Sequence, residues 1–206
     1  MRARWQPTPG QLAQVLIGLW LFGTGEALIV AAKLGNSPWT VLAQGVSKHT
    51  SLSIGGATVA IGALVLLCWI PLRQLPGLGT VLNSIVIGAA IDVTLGVLPH
   101  LGSYPVRWGS LFAGIALVGL GSGLYLTAAL GPGPRDGLMT GLHARFGWPL
   151  AAARTAIELS AFTLGALLGG TAGAGSVLFA LLIGHAVSFC VKRVGPYAAE
   201  PRRAPA

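Results

Sequence analysis

Six stretches of this sequence, roughly residues 12–34, 54–71, 80–99, 110–131, 150–168 and 175–194, run apolar for 18 residues or more. A spanning helix needs about 20 mostly apolar residues, because about 30 Å of hydrocarbon is crossed at about 1.5 Å per residue. A helix also satisfies its own backbone donors and acceptors, which lipid cannot do. The six stretches therefore predict an all-α, polytopic membrane protein of six transmembrane helices. Composition agrees: 53% of the 206 residues are hydrophobic and 9% are charged, against about 25% charged in soluble domains. An ordinary soluble enzyme, a disordered tail and a collagen-like fibre are excluded.

Between the spans, residues 71–79 (Pro71 to Gly79) and 99–105 (Pro99 to Pro105) carry turn chemistry that a helix interior rejects. Residues 169–175 form a short, uncharged, glycine-rich loop. The first span exceeds the apolar core of a secretory signal, about 7–15 residues, and it contains Glu26, so it is expected to be retained. Cys68 and Cys190 both fall in apolar runs and read as buried thiols, with no disulfide framework.

The net charge of +8 comes from basic residues between apolar runs and at the termini, a distribution that fits anionic headgroups and not nucleic acid. Arg2, Arg4, Arg73, Arg135, Arg145, Lys192, Arg193, Arg202 and Arg203 fall on one side of a six-span topology, and Lys33, Lys48 and Arg107 on the other. The excess of Lys and Arg predicts cytoplasmic termini.

A shift of 96 residues aligns the chain with itself without a gap. Gly18, Gly25, Leu34, Gly35 and Pro38 meet Gly114, Gly121, Leu130, Gly131 and Pro134. Over residues 12–96, 22 of 85 pairs are identical, where this composition gives roughly 8 by chance. Three spans per half is an odd number, so the sequence predicts a 3+3 inverted repeat. The expected organisation is a cytoplasmic segment (1–11), a first repeat (12–99), a connection (100–107), a second repeat (108–194) and a cytoplasmic tail (195–206).

After the first span of each half comes a glycine, a tight turn and a proline: Gly35, Ser37, Pro38, Trp39 in one copy and Gly131, Pro134, Arg135, Asp136 in the other. Glycine after a helix end and proline at a first helical position mark a stop and a restart. Ser37 reads as an N-cap and Asp136 as a first-turn acid. Each half thus carries a short extra helix. It either enters the bundle as a re-entrant segment, the best sequence pointer to a transport site, or lies in the interface with Trp39 as a headgroup anchor.

The stretches Gly35-Asn36-Ser37-Pro38-Trp39, Ile87-Gly88-Ala89-Ala90-Ile91-Asp92 and residues 130–141 (Leu130 to Gly141) resemble the YczE/YitT-like bacterial integral membrane proteins. The resemblance covers nearly the whole chain and implies a polytopic membrane protein. This sequence carries Thr40 where the family's first copy usually has an acid.

Glu26, Asp92, Arg154 and Glu158 lie inside spans. Each costs about 2.5–3.5 kcal/mol at a helix centre, so each is expected to face the bundle interior or a wetted cavity. Arg154 and Glu158, one turn apart, can pair. Glu26 and Asp92 have no charged neighbour within a turn. They read either as proton- or cation-coupling groups, with Arg154 or Lys33 as partners from other helices, or as hydrogen-bonded packing acids.

Ser122 and His185 suggest an intramembrane serine protease, but Ser122 stands mid-helix beside Leu120, in a glycine patch suited to packing. No P-loop, metal-ligand spacing or dinucleotide fingerprint is present, and the reading predicts no enzyme, cofactor or metal. The leading expectation is a secondary-transporter-like carrier of a small solute, coupled to a proton or cation through Asp92 and Glu26. On that reading Asp92→Asn abolishes gradient-driven uptake. The alternative is a membrane scaffold for a biosynthetic complex, contacted around Arg135 to Arg145. Small-residue patches such as Gly119 to Gly123 can pack within one chain or between copies.

Overall fold

The computed structural model describes residues 4–194. Arg2, Arg202, Arg203 and the tail from 195 onward lie outside the described residues. Eight helices follow one another: α1 (Pro9–Ala32), α2 (Pro38–His49), α3 (Ile54–Leu72), α4 (Leu78–Val97), α5 (Tyr104–Thr127), α6 (Pro134–Phe146), α7 (Leu150–Leu167) and α8 (Ala174–Val194). All but α2 and α6 are long and apolar enough to cross a membrane. No strand occurs among the described residues.

Two boundaries depart from the sequence reading, both at prolines. α5 starts at Tyr104, not near 110, because Pro105 fits a first turn where its missing N–H costs nothing. α3 runs through Pro71 to Leu72, since a proline in the last turn forfeits little of the ladder. Cys68 is exposed on α3 and not buried; Cys190 is partly buried, and both are free.

The first helices of the two halves form the centre. Gly18 abuts Gly121 and Gly25 abuts Gly114, so α1 and α5 run antiparallel, and their glycines let the backbones touch. α4 packs on α1, and α8 on α5. Each short helix packs on a helix of the other half, α2 on α7 and α6 on α3.

Contacts recur in pairs shifted by 96 residues. Leu34 O accepts from Gly175 N at 2.8 Å, and Leu130 O from Gly79 N at 2.9 Å. Arg107 Nε donates to Ala32 O at 2.6 Å, and Gln11 Nε2 to Ala128 O at 3.2 Å, each covering open carbonyls at the end of the opposite first helix. Gly35 and Gly131 hold φ of 120° and 118°, a region closed to side chains, where the chain turns back after α1 and α5. One pairing breaks the pattern: α3 packs along α4, whereas α7 does not pack along α8.

Candidate functional site

After Ala32 the chain does not leave the bundle. It turns back at Gly35, so that Ser37 and Thr40 at the start of α2 reach Glu26 on α1. Ser37 Oγ donates to the Glu26 carboxylate at 2.8 Å and Thr40 Oγ1 donates to it at 2.8 Å. Glu26, Ser37 and Thr40 are all buried. Ser37 occupies the N-cap position, but its hydroxyl is turned to donate to the carboxylate and accepts from no helix N–H. The start of α2 is thus folded back onto α1, and Trp39 lines two cavities between the helices.

The start of α6 is built differently. Trp69 Nε1 on α3 donates to Pro134 O at 2.9 Å, and Gly137 leaves room for the indole. Asp136 lies in the first turn as expected, and its carboxylate accepts from Tyr125 OH on α5 at 2.8 Å. Arg135, a loop cation by sequence, lies in the first turn of α6 with its guanidinium turned toward α1 and α2. Its Cζ lies 5.5 Å from the Phe22 ring centroid and 5.7 Å from that of Trp39. The two short helices thus meet start to start, through Trp39 and Arg135.

Cavities flank this junction. On one side, about 50 Å³ is lined by Thr58, Gly62, Asn83 and Ser84 of α3 and α4. On the other, about 100 Å³ lies between α7 and α8, lined by Ser122, Asp136, Arg154, Glu158, Phe179 and Ile183. Arg135 borders both. Thr58 and Gly62 correspond to Arg154 and Glu158 under the 96-residue shift, so equivalent positions are neutral in one cavity and charged in the other. A third cavity, about 450 Å³, carries Lys33, His100 and Arg107 at the far end of α1.

Arg154 Nε pairs with Glu158 Oε1 at 3.2 Å, with side chains 58% and 35% exposed. Asp92 is held elsewhere: Oδ2 accepts from Ser53 Oγ and Oδ1 from Gly55 N at 2.8 Å, at the start of α3. Lys33 is exposed in a left-handed C-cap, with its charge at the helix end and not beside Glu26. Ser122 occupies the position equivalent to Glu26, whereas the His185 ring nitrogen sits against Leu181 O of its own helix at 3.1 Å. Sequence reasoning missed Tyr125, Trp69 and Phe22. A tyrosine inside a span needs a partner for its hydroxyl, a usable signal for Tyr125. Trp69 and Phe22 offered none.

Residues 10–192 match a profile described as a family of unknown function, DUF6198. The chain belongs to this family. A Haemophilus influenzae protein named as uncharacterized is 42% identical over 194 residues, covering 91% of this chain and 89% of the relative. The uncharacterized membrane protein YczE of Bacillus subtilis is 34% identical over 174 residues, covering 84% and 81%. YyaS of the same organism is 28% identical over 172 residues, covering 82% and 86%. No solved structure matches. The YczE-like resemblance and the six apolar helices together make this a multi-pass bacterial membrane protein.

Proposed function

We propose that this protein is a carrier of a small solute and not an enzyme, built as an inverted repeat, with its site where the starts of α2 and α6 meet. One observation carries the reading: Trp39 and Arg135 touch across cavities, beside a buried carboxylate that accepts from two hydroxyls. Broken helices whose starts converge at depth provide polar groups without a continuous helix in the way. The antiparallel α1 and α5, with their reciprocal glycine contacts, support the repeat.

Coupling falls to Glu26, the buried acid at the junction, which gains or loses a proton or a cation as solute enters. Asp92 is engaged at the start of α3 and serves that helix. Even without Arg135 the Lys and Arg distribution supports cytoplasmic termini in the inner membrane, and reporter fusions at both ends test it. The decisive experiment is flux in proteoliposomes under an imposed proton gradient, with solutes grouped by charge. The expected result is uptake of one class, lost in Glu26→Gln. Folded protein that moves no class overturns the reading.

A further inference from the structure

The geometry points to a small monocarboxylate with a short apolar tail as the solute, its carboxylate on Arg135 and its tail against α8. This inference rests on the carrier reading and names the substrate class for that site.

Arg135 forms no direct ion pair among the described residues, although Asp136 and Glu158 line the same cavity. Among the described residues the ion pair formed is Arg154–Glu158, and the Asp136 carboxylate, one residue along, accepts from Tyr125 OH. Two aromatic faces hold the guanidinium, and ring faces leave its N–H donors unused. Beside it, the Trp39 indole N–H is buried and finds no acceptor among the described residues. A buried donor without an acceptor costs about 1–3 kcal/mol, so the junction, where Trp39 and Arg135 are in contact at the edge of the cavity, is matched to oxygen acceptors. A planar carboxylate suits the guanidinium fork, which binds it through parallel hydrogen bonds.

The cavity sets the rest of the molecule. At about 100 Å³ it has room for one small solute. On the α5 and α8 side its wall is Val118, Leu126, Phe179, Ile183 and Val187, which offer a tail no hydrogen bond, while the α6 and α7 side carries Asp136 and the paired Arg154 and Glu158. Because α7 does not pack along α8, an apolar tail has space there, whereas in the first half α3 packs along α4 and leaves about 50 Å³. A cationic amine would meet the guanidinium directly. The second charge of a dicarboxylate would meet apolar side chains along α8, and along α7 it would have to compete with Glu158 for Arg154.

The test is calorimetric titration of full-length protein in mild detergent with butyrate, acetate, butylammonium and butyramide at matched ionic strength. Butyrate is expected to bind about tenfold more tightly than acetate, from two further buried methylenes, and the amine and amide not at all. Arg135→Gln should weaken butyrate on the order of 10- to 100-fold. Arg135→Lys, which keeps the charge, should lose less and shows that the loss is not misfolding. Absence of butyrate binding to the unaltered protein, binding of butylammonium in its place, or equal affinity in Arg135→Gln overturns the proposal. Flux of an amine or neutral solute would sink this inference and leave the carrier reading standing. Carboxylate binding with no flux of any solute would sink the carrier reading alone.

Discussion

Trp39 and Arg135 are counterparts under the 96-residue shift, and they touch: the guanidinium carbon lies 5.7 Å from the indole ring centroid. The same point in each half has become an aromatic face in one and a cation in the other. A cation over an aromatic face is worth about 0.5–2 kcal/mol, more where water is excluded. Trp39→Leu should therefore lower the thermal midpoint in detergent and loosen the junction. Trp39→Phe, which keeps a ring, should recover most of the midpoint but not the indole donor. Equal midpoints for Trp39→Leu and the unaltered protein would mean that the contact does not hold the short helices together.

Glu26 accepts from two buried hydroxyls, so its substitutions separate charge from packing. Glu26→Gln keeps an acceptor for Ser37 and Thr40 but has no ionisable group. It should give folded protein in normal yield, with gradient-driven flux lost and solute exchange at equilibrium retained. Glu26→Ala leaves both hydroxyls without an acceptor, at about 1–3 kcal/mol for a buried unsatisfied group, and should fall in stability as well. Loss of exchange in Glu26→Gln would move Glu26 from coupling to solute binding.

The α1–α5 contact makes a separate prediction about the fold. A Cβ at Gly25 would lie 2.6 Å from Gly114 O, and one at Gly114 would lie 2.7 Å from Gly25 O. Neither backbone can move without the other helix moving too. Gly25→Ala and Gly114→Ala should each destabilise by about 1–3 kcal/mol, the usual cost of overpacking. Gly96→Ala and Gly184→Ala meet open space and should be close to neutral, read as denaturation midpoints in detergent.

The six spans were legible because hydropathy is a property of each segment alone. Even α2 and α6 were visible from Pro38 and Pro134, since proline and glycine punctuate locally. Whether those short helices enter the bundle was not legible, because it depends on contacts such as Trp69 with Pro134, 65 residues apart. The same limit explains the charges. Arg154 and Glu158 paired as their spacing predicts, one turn apart on one helix. Arg135 looked like a loop cation, and Asp92 like an isolated buried acid, until the fold brought Phe22 and Trp39 to the first and Ser53 to the second. Residue type and spacing fix partners within a helix, while partners across helices follow from topology.

Asp92 gives the sharpest contrast between sequence and structure. From position alone, Asp92→Asn abolishes gradient-driven uptake. In the fold, its carboxylate joins Ser53 Oγ and Gly55 N at the first turn of α3, where a capping acceptor is worth about 0.5–2 kcal/mol. Asp92→Ala should accordingly lower the thermal midpoint, and so should Ser53→Ala, which removes the cap on Gly56 N together with the donor to Asp92. Asp92→Asn should retain one acceptor and lose little. Flux per folded molecule should stay at the unaltered level in all three, measured against a Glu26→Gln control that lacks gradient-driven uptake. Abolished flux in well-folded Asp92→Asn would return coupling to Asp92, and would make its bonds to Ser53 and Gly55 one state of a moving group.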